Sequence, residues 1–308
     1  MIIYTHPDCL LKENGSNHPE RKERLDSVLE SINQIKDIEI NFKKAPFAHI
    51  DTISLVHPKK HIESIFSNIP KNGLIGVEKE PYADTMLCPN SKQAILRSCG
   101  AGIAAADDLM SKNERIFCAI RPPGHHAETT KAMGFCFINN IAVTARYLQN
   151  KYKIKKVAII DFDVHHGNGT QEIFYNDETV AYGSSHEFPL FPGTGAENET
   201  GVGNIFNAIL KAGMNGKEFI KIFEQKILNP MDKFKPEVIL ISAGFDAHTR
   251  DPLANINLES IDFYEITKKI VDLANTHCEG RIISFLEGGY DLIALSESIK
   301  EHLRALKF

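Results

Sequence analysis

An aspartate and a histidine two residues apart, Asp163 and His165, form a pair that can bind a metal ion. Residues i and i+2 of an extended segment point to the same side, so the carboxylate and the imidazole can reach one metal. Asp246, at the end of another predicted strand, can supply a third ligand. This set suits Zn²⁺ with a position left for water, and Fe²⁺ or another first-row ion accepts the same ligands. A helix cap or a plain polar pair is the alternative for so short a motif.

The doublet His125-His126 follows a Pro-Pro-Gly turn, which holds both imidazoles in place. Two imidazoles beside a metal-activated water suit general acid–base catalysis, although metal ligation by one of them is the alternative. Tyr290 follows two glycines that allow close backbone packing. A phenol beside a metal is a good donor to a developing oxyanion, whereas core packing is the simpler explanation for an isolated tyrosine.

These side chains follow predicted strands. Runs rich in β-branched residues predict strands at residues 2–5, 116–120, 156–163, 180–185, 237–243 and 281–287. Apolar residues at helical spacing predict helices at residues 19–35, 91–110, 139–150, 217–228, 258–274 and 292–306. The alternation predicts an α/β fold with a largely parallel sheet. Four strands run directly into polar clusters, and ligands bind beyond the carboxyl ends of parallel strands, so we expect one site there.

The composition of the chain argues against several classes of protein. The chain has 308 residues, 43% of them hydrophobic, and a net charge of −5, which argues against a nucleic-acid partner. No apolar run reaches the roughly 18 residues of a membrane span, and no signal peptide is visible. The six cysteines show no paired spacing, as in a reduced cytoplasmic protein. No linker divides the chain, and the Gly- and Pro-rich residues 187–204 predict a functional loop.

Six long motifs, in order and at matching spacing, resemble the zinc-dependent histone and lysine deacetylases and the acetylpolyamine amidohydrolases. They lie at residues 121–128, 134–140, 161–171, 191–195, 242–253 and 287–290. The sequences R-P-P-G-H-H and H-H-G-N-G-T-Q are similar to those of the class II branch of this family. The resemblance implies an arginase/deacetylase-type three-layer fold, with a central mostly parallel sheet flanked by helices. It also implies one catalytic domain over residues 1–308.

The implied reaction is hydrolysis of an acyl-lysine amide by metal-activated water. The resemblance makes His126 the general base and acid. It assigns the other members of the catalytic centre by position: zinc ligands Asp163, His165 and Asp246; His125 backed by Asp161; Asn168 behind His126; and Tyr290 on the carbonyl oxygen.

The resemblance also implies a narrow substrate tunnel and structural monovalent cations. Phe135 and Phe191 would form the walls of the tunnel, Gly134 its floor or side, and Leu253 its gatekeeper. Arg21 would lie near an internal cavity for released acetate. A K⁺ or Na⁺ ion would bind Asp161, Ser184 and Ser185 with main-chain oxygens of Asp163 and His165. A second ion would bind main-chain oxygens near Phe174, Asp177 and Val180.

Three functions compete: an acyl-lysine deacylase, an acetylpolyamine amidohydrolase, and an inactive acyl-lysine-binding module. The module is disfavoured because every matched chemical position, including Tyr290, is intact. Apolar Leu253 and the short segment at residues 9–17 favour acyl-lysine over a cationic polyamine. Asp84 or Thr85 is expected to hold the substrate backbone at the rim. The sequence leaves the oligomeric state and the acyl-chain preference open.

Overall fold

The computed structural model describes residues 1–77, 83–112 and 114–307. The predicted domain, residues 1–308, includes the few residues outside this description, and its extent stays a prediction. The strands are β1 (Ile2–Thr5), β2 (Asn41–Lys44), β3 (Ile75–Gly76), β4 (Met86–Leu87), β5 (Ile116–Cys118), β6 (Val157–Asp161), β7 (Val180–Glu187), β8 (Ile205–Leu210), β9 (Val238–Ala243) and β10 (Ile282–Leu286). The helices are α1 (Lys22–Gln34), α2 (Ile50–Ile53), α3 (Lys59–Ser67), α4 (Ser91–Lys112), α5 (Asn140–Tyr152), α6 (Asn168–Phe174), α7 (Gly216–Phe223), α8 (Asn229–Phe234), α9 (Ser260–His277) and α10 (Leu292–Leu306).

Eight strands form the central sheet in the order β2-β1-β5-β10-β9-β6-β7-β8, and each neighbouring pair is parallel. Alternate residues of β9 face opposite sides. Ile239 and Ile241 pack in a core shared with α1 and α7 to α10, and Val238 and Leu240 in a core shared with α4 to α6. A parallel sheet needs apolar residues on both faces because helices cover both. The predicted three-layer α/β fold is confirmed.

The two strands of the central sheet that were not predicted, β2 and β8, lie at its edges. β2 is polar and mostly exposed, so it carries no apolar signal. β8 follows the predicted loop directly, and its burial does not alternate regularly. The predicted helix at residues 217–228 is divided between α7 and a π-helical stretch, Glu224–Leu228. α1 begins at Lys22, later than the predicted start at residue 19, and Glu20 just before it lies in a buried ion cluster.

Within the described residues, no helix combines the length and apolarity needed to cross a membrane. All six cysteines are buried free thiols, as their spacing predicted. The cytoplasmic location expected from them stays a prediction.

Candidate active site

Four neighbouring strands, β5, β10, β9 and β6, end at the same edge of the sheet. The polar clusters that follow them bring His125, Tyr290, Asp246 and Asp163 together there. The convergence expected from the sequence follows from the parallel arrangement, because the carboxyl ends of all four strands point the same way.

Asp163, His165 and Asp246 form a buried cluster whose donor atoms lie within 4.8 Å of one another. His165 Nδ1 is 3.2 Å from Asp163 Oδ1 and 3.0 Å from Asp246 Oδ2. Backbone N–H groups fix the remaining carboxylate oxygens: Gly288 donates to Asp163 Oδ2 at 2.7 Å, and Val164 donates to Asp246 Oδ1 at 2.9 Å. In the described ranges this is the one group of three or more His, Cys, Asp or Glu side chains placed closely enough to hold a metal ion.

Two observations show that this cluster fits a divalent cation. Burial, together with the charge of Asp163, raises the pKa of Asp246 to about 7, as expected of adjacent carboxylates that lack a sufficient counter-charge. The surrounding backbone also leaves these carboxylates space that a larger residue would fill. A Cβ atom at Gly244 would lie 2.1 Å from Asp163 Oδ2, and one at Gly288 would lie 2.2 Å from Asp246 Oδ2. Two carboxylates and one imidazole are ligands that Zn²⁺ accepts.

The two imidazoles of the doublet are each held by one partner. His125 Nδ1 is 3.1 Å from Asp161 Oδ2, and His126 Nδ1 is 2.9 Å from Asn168 Oδ1. The centroids of the two rings are 3.9 Å apart, and the His126 centroid is 6.2 Å from that of His165. The doublet is therefore adjacent to the cluster of Asp163, His165 and Asp246. Both Nδ1 atoms have hydrogen-bond partners, and the Nε2 atom of His126 is left for proton transfer.

The charges of the two histidines differ. Burial alone would lower the pKa of His125, but the carboxylates of Asp163 and Asp161 raise it to about 10, so His125 is an imidazolium at neutral pH. Burial and the neighbouring charges of His125 and His165 hold the pKa of His126 well below its usual value. His126 is therefore neutral and able to accept a proton.

Two carboxylates that were not predicted to belong to the site, Glu287 and Asp251, hold the histidine doublet and Tyr290 in place. Glu287 Oε2 accepts hydrogen bonds from the backbone N–H groups of Gly124 at 2.8 Å and His125 at 3.2 Å. Asp251 Oδ2 accepts from the N–H of Tyr290 at 2.7 Å. The polar cluster after β10 was a signal for Glu287. Asp251 and Tyr290 are 39 positions apart, and no local pattern connects them.

Tyr290 faces a cavity of about 250 Å³. Burial raises the pKa of its phenol well above the usual value, so the hydroxyl is a hydrogen-bond donor at neutral pH. The cavity also contains both predicted aromatic walls and the predicted gatekeeper; it is lined by Asp84, His126, Gly134, Phe135, His165, Leu190, Phe191, Leu253 and Tyr290. His165 of the Asp163–His165–Asp246 cluster and His126 of the doublet thus line an aromatic cavity.

Gly134 and Phe135 adopt left-handed backbone conformations, with φ of +56° and +67°. A Cβ atom at Gly134 would lie 2.4 Å from Cδ2 of His126, so a glycine is needed for this approach. The N–H of Phe135 donates to Thr85 Oγ1 at 3.0 Å. Of the two predicted rim residues, Asp84 therefore lines the cavity, while buried Thr85 supports its wall.

The prediction for Arg21 is wrong. Arg21 precedes the first turn of α1 and its side chain is exposed. Arg24, three residues later, is on the inward face of α1 and fully buried. Its Nε donates to the carbonyl of Gly289 and its Nη2 to that of Glu287, both at 2.6 Å, and its guanidinium lies 4.9 Å from the Tyr290 ring. A charged residue beside the apolar stripe of an amphipathic helix was the available signal.

The carboxylate of Glu20 contacts three buried cations, Lys12, Arg24 and Arg121. Burial alone would raise its pKa, but Arg121 and Lys12 hold the pKa of Glu20 well below its usual value. We expect Glu20→Gln to lower the free energy of unfolding by about 3 kcal/mol, because it leaves buried cations uncompensated. Guanidinium denaturation, with exposed Glu30→Gln in α1 as control, measures this.

The sign of the pH dependence gives a second test of Glu20. A carboxylate with a depressed folded-state pKa stabilises fully above its unfolded pKa of about 4.3 and loses this effect as the pH falls through the folded value. The stability difference between wild type and Glu20→Gln should therefore be largest at neutral pH and shrink under acid conditions. A constant difference across this range contradicts the ionic role.

The structure brings together part of the predicted first monovalent-cation site. The register of β6 and β7 sets Ser184 beside Asp161. Ser184 Oγ lies 2.9 Å from His186 Nδ1, and Asp161 Oδ2 accepts from the Tyr182 hydroxyl. The side chain of Ser185 points to the opposite face of the sheet, so its contribution would come from the backbone.

The predicted second cation position contains a protein group. The carbonyl oxygens of Phe174, Asp177 and Val180 converge as expected, at 2.8 Å, 2.9 Å and 2.9 Å from Nδ2 of Asn204. An amide nitrogen of the chain itself thus takes the place predicted for the ion.

Residues 18–306 match the family described as histone deacetylase domain. The chain is 36% identical over 312 residues to histone deacetylase 10, chloroplastic, of Oryza sativa subsp. japonica, with 95% of this chain and 70% of that protein covered. It is 35% identical over 298 residues to a probable deacetylase of Archaeoglobus fulgidus, with coverage of 94% and 81%. The crystal structure of the HDA15 HD domain superposes with a TM-score of 0.91 at 32% identity, covering 99% of this chain and 87% of that chain.

Proposed function

Because the chain belongs to the histone deacetylase family, we propose that it is a zinc-dependent enzyme that removes acetyl or other short acyl groups from lysine side chains. Family membership indicates a hydrolase acting on amide bonds, and the metal and the substrate are the further steps of the proposal. The observation that supports the proposal most is the aromatic cavity. His165 of the proposed metal-ligand group, the neutral imidazole of His126 and the protonated phenol of Tyr290 all line it.

The metal ligands are Asp163, His165 and Asp246. A zinc ion bound there would supply Lewis-acid polarisation of the amide carbonyl and a water molecule of lowered pKa. We also assign a structural K⁺ or Na⁺ ion to the position between Asp161 and Ser184.

The side chains of the chain account for the proton transfers. Neutral His126 removes a proton from the attacking water and passes it to the departing lysine nitrogen. His125, already an imidazolium, keeps the pKa of His126 low and so favours its base form. The Tyr290 hydroxyl donates a hydrogen bond to the oxyanion that develops on the carbonyl. Phe135 and Phe191 exclude water around the methylene chain of the lysine.

A comparison of substrates tests the proposal. Purified zinc-loaded enzyme is assayed on acetyl-lysine peptides and on acetylputrescine, and we expect the higher kcat/KM on the peptides. No hydrolysis of any acylated amine, combined with tight binding of acetyl-lysine peptides, would instead support the inactive binding module.

Asp84 supports acetylpolyamine as a second candidate substrate, because this acidic residue lines the cavity and can attract a cationic substrate. Leu253, which lines the same cavity, argues against a polyamine because it is apolar. We expect Leu253→Glu to shift the ratio of kcat/KM values towards acetylputrescine by about two- to fivefold, which corresponds to the ~0.5–1 kcal/mol of an exposed ion pair. Leu253→Gln is the control for size and polarity, and an equal shift in both variants contradicts the electrostatic explanation.

A further inference from the structure

The partner of His126 is itself held by a carboxylate. Asn168 Oδ1 faces His126 Nδ1 at 2.9 Å, and Asn168 Nδ2 donates to Glu128 Oε1 at 2.7 Å. The thioether sulfur of Met133 lies 3.4 Å from the same Nδ2. An ionised carboxylate and a thioether only accept hydrogen bonds. Both groups on this side of Asn168 therefore select its NH₂ end.

This selection determines the proton position on His126. With Nδ2 directed to Glu128, Asn168 can present only its carbonyl oxygen to the imidazole, so Nδ1 of His126 must carry the hydrogen. Nε2 is then the free lone pair that a general base requires. With the amide reversed, its NH₂ group would face Nδ1, and the hydrogen of a neutral imidazole would move to Nε2.

Glu128 is itself fixed in position. Its N–H donates to the carbonyl of Lys131 at 2.9 Å, in a short hairpin that follows the histidine doublet, and its side chain is half-buried. On the basis of the proposed function, we propose that Glu128 is a positioning residue that acts through Asn168 to keep His126 in the tautomer of a general base.

Substitution of Glu128 by glutamine keeps its size but allows both amides to reverse. We expect E128Q to lower kcat by about ten- to a hundredfold, the effect typical of partners one step removed from a reacting group, with KM unchanged. The matched control is E172Q: Glu172 is exposed and accepts from Thr129, but it is not a partner of Asn168. A wild-type kcat in E128Q overturns the proposal.

A double-mutant cycle separates positioning from packing. N168D alone would set two carboxylates against each other at the 2.7 Å contact and should lose activity. In N168D/E128Q the acid and the amide are exchanged, so the hydrogen bond and its charge are restored. The same E128Q change should therefore lower kcat in the wild-type background and raise it in the N168D background. Equal effects in both backgrounds overturn the proposal.

Nitrogen-15 NMR of the His126 ring gives a measurement that does not depend on turnover. Wild type should show a protonated Nδ1 and an unprotonated Nε2, and E128Q a mixture of both tautomers. An unchanged spectrum in E128Q overturns the inference about Glu128. If wild type shows the expected tautomer but hydrolyses no acylated amine, the proposed function fails while the role of Glu128 stands.

Discussion

Replacement of His126 by alanine is expected to lower kcat by about a hundred- to ten-thousandfold, the range of a lost general acid–base catalyst. Two histidines line the cavity, and His165 is one of the proposed metal ligands, so His126 is the imidazole left to accept a proton. Its pKa lies well below the usual value, so it is neutral and can accept a proton from water and return it to the leaving nitrogen. The KM should change little, because the cavity walls that hold the substrate remain. Steady-state kinetics on an acetyl-lysine peptide measures both values.

The pH profile gives a second measurement on the same variant. Protonation of His126 removes the base, so wild-type kcat/KM should fall as the pH decreases, and this acid limb should be absent from the residual activity of His126→Ala. The matched control is His277→Ala at the end of α9, where the histidine pairs with Asp232 and neither residue lines the cavity. Wild-type kinetics in His126→Ala would exclude this residue as the base.

The central part of the fold and its site were predictable because their signals are local. β6 and β9 are continuous apolar runs that end in Asp163 and Asp246 clusters. Once the sheet is parallel, adjacency of these ends follows from topology. Edge strands such as β2 lack this signal, because an exposed polar strand is held by its neighbour and not by its own apolar residues.

The contacts of residues that hold the site in place, such as Glu128 and Arg24, were not predictable because they join positions far apart in the sequence. Glu128 and its partner Asn168 are 40 positions apart, and Arg24 reaches the carbonyl of Gly289 across 265 positions. Such pairs are set by the packing of α1 and α6 against the strand ends. The apolar stripe of α1 indicates that Arg24 lies on the inward face of the helix, but it does not show which carbonyl groups Arg24 reaches.

Substitution of Asp246 by asparagine is expected to abolish both metal binding and activity. Asparagine retains the shape of the side chain and an oxygen that can accept from the N–H of Val164. It removes one of two carboxylate charges from a site with a single imidazole, and zinc affinity depends on these deprotonated ligands. Atomic emission should find about one zinc ion per wild-type chain and almost none in Asp246→Asn.

Thermal stability distinguishes loss of the metal from loss of the fold. A ligand at a hundred times its Kd stabilises the native state by about 2.7 kcal/mol, so a chelator should lower the Tm of the wild-type protein. Asp246→Asn should have a cooperative transition whose Tm the chelator does not change. Asp272→Asn on the exposed side of α9 removes the same charge elsewhere and should keep the zinc and the chelator response. Full zinc content in Asp246→Asn would exclude this residue as a ligand and leave Asp163 and His165 without their third partner.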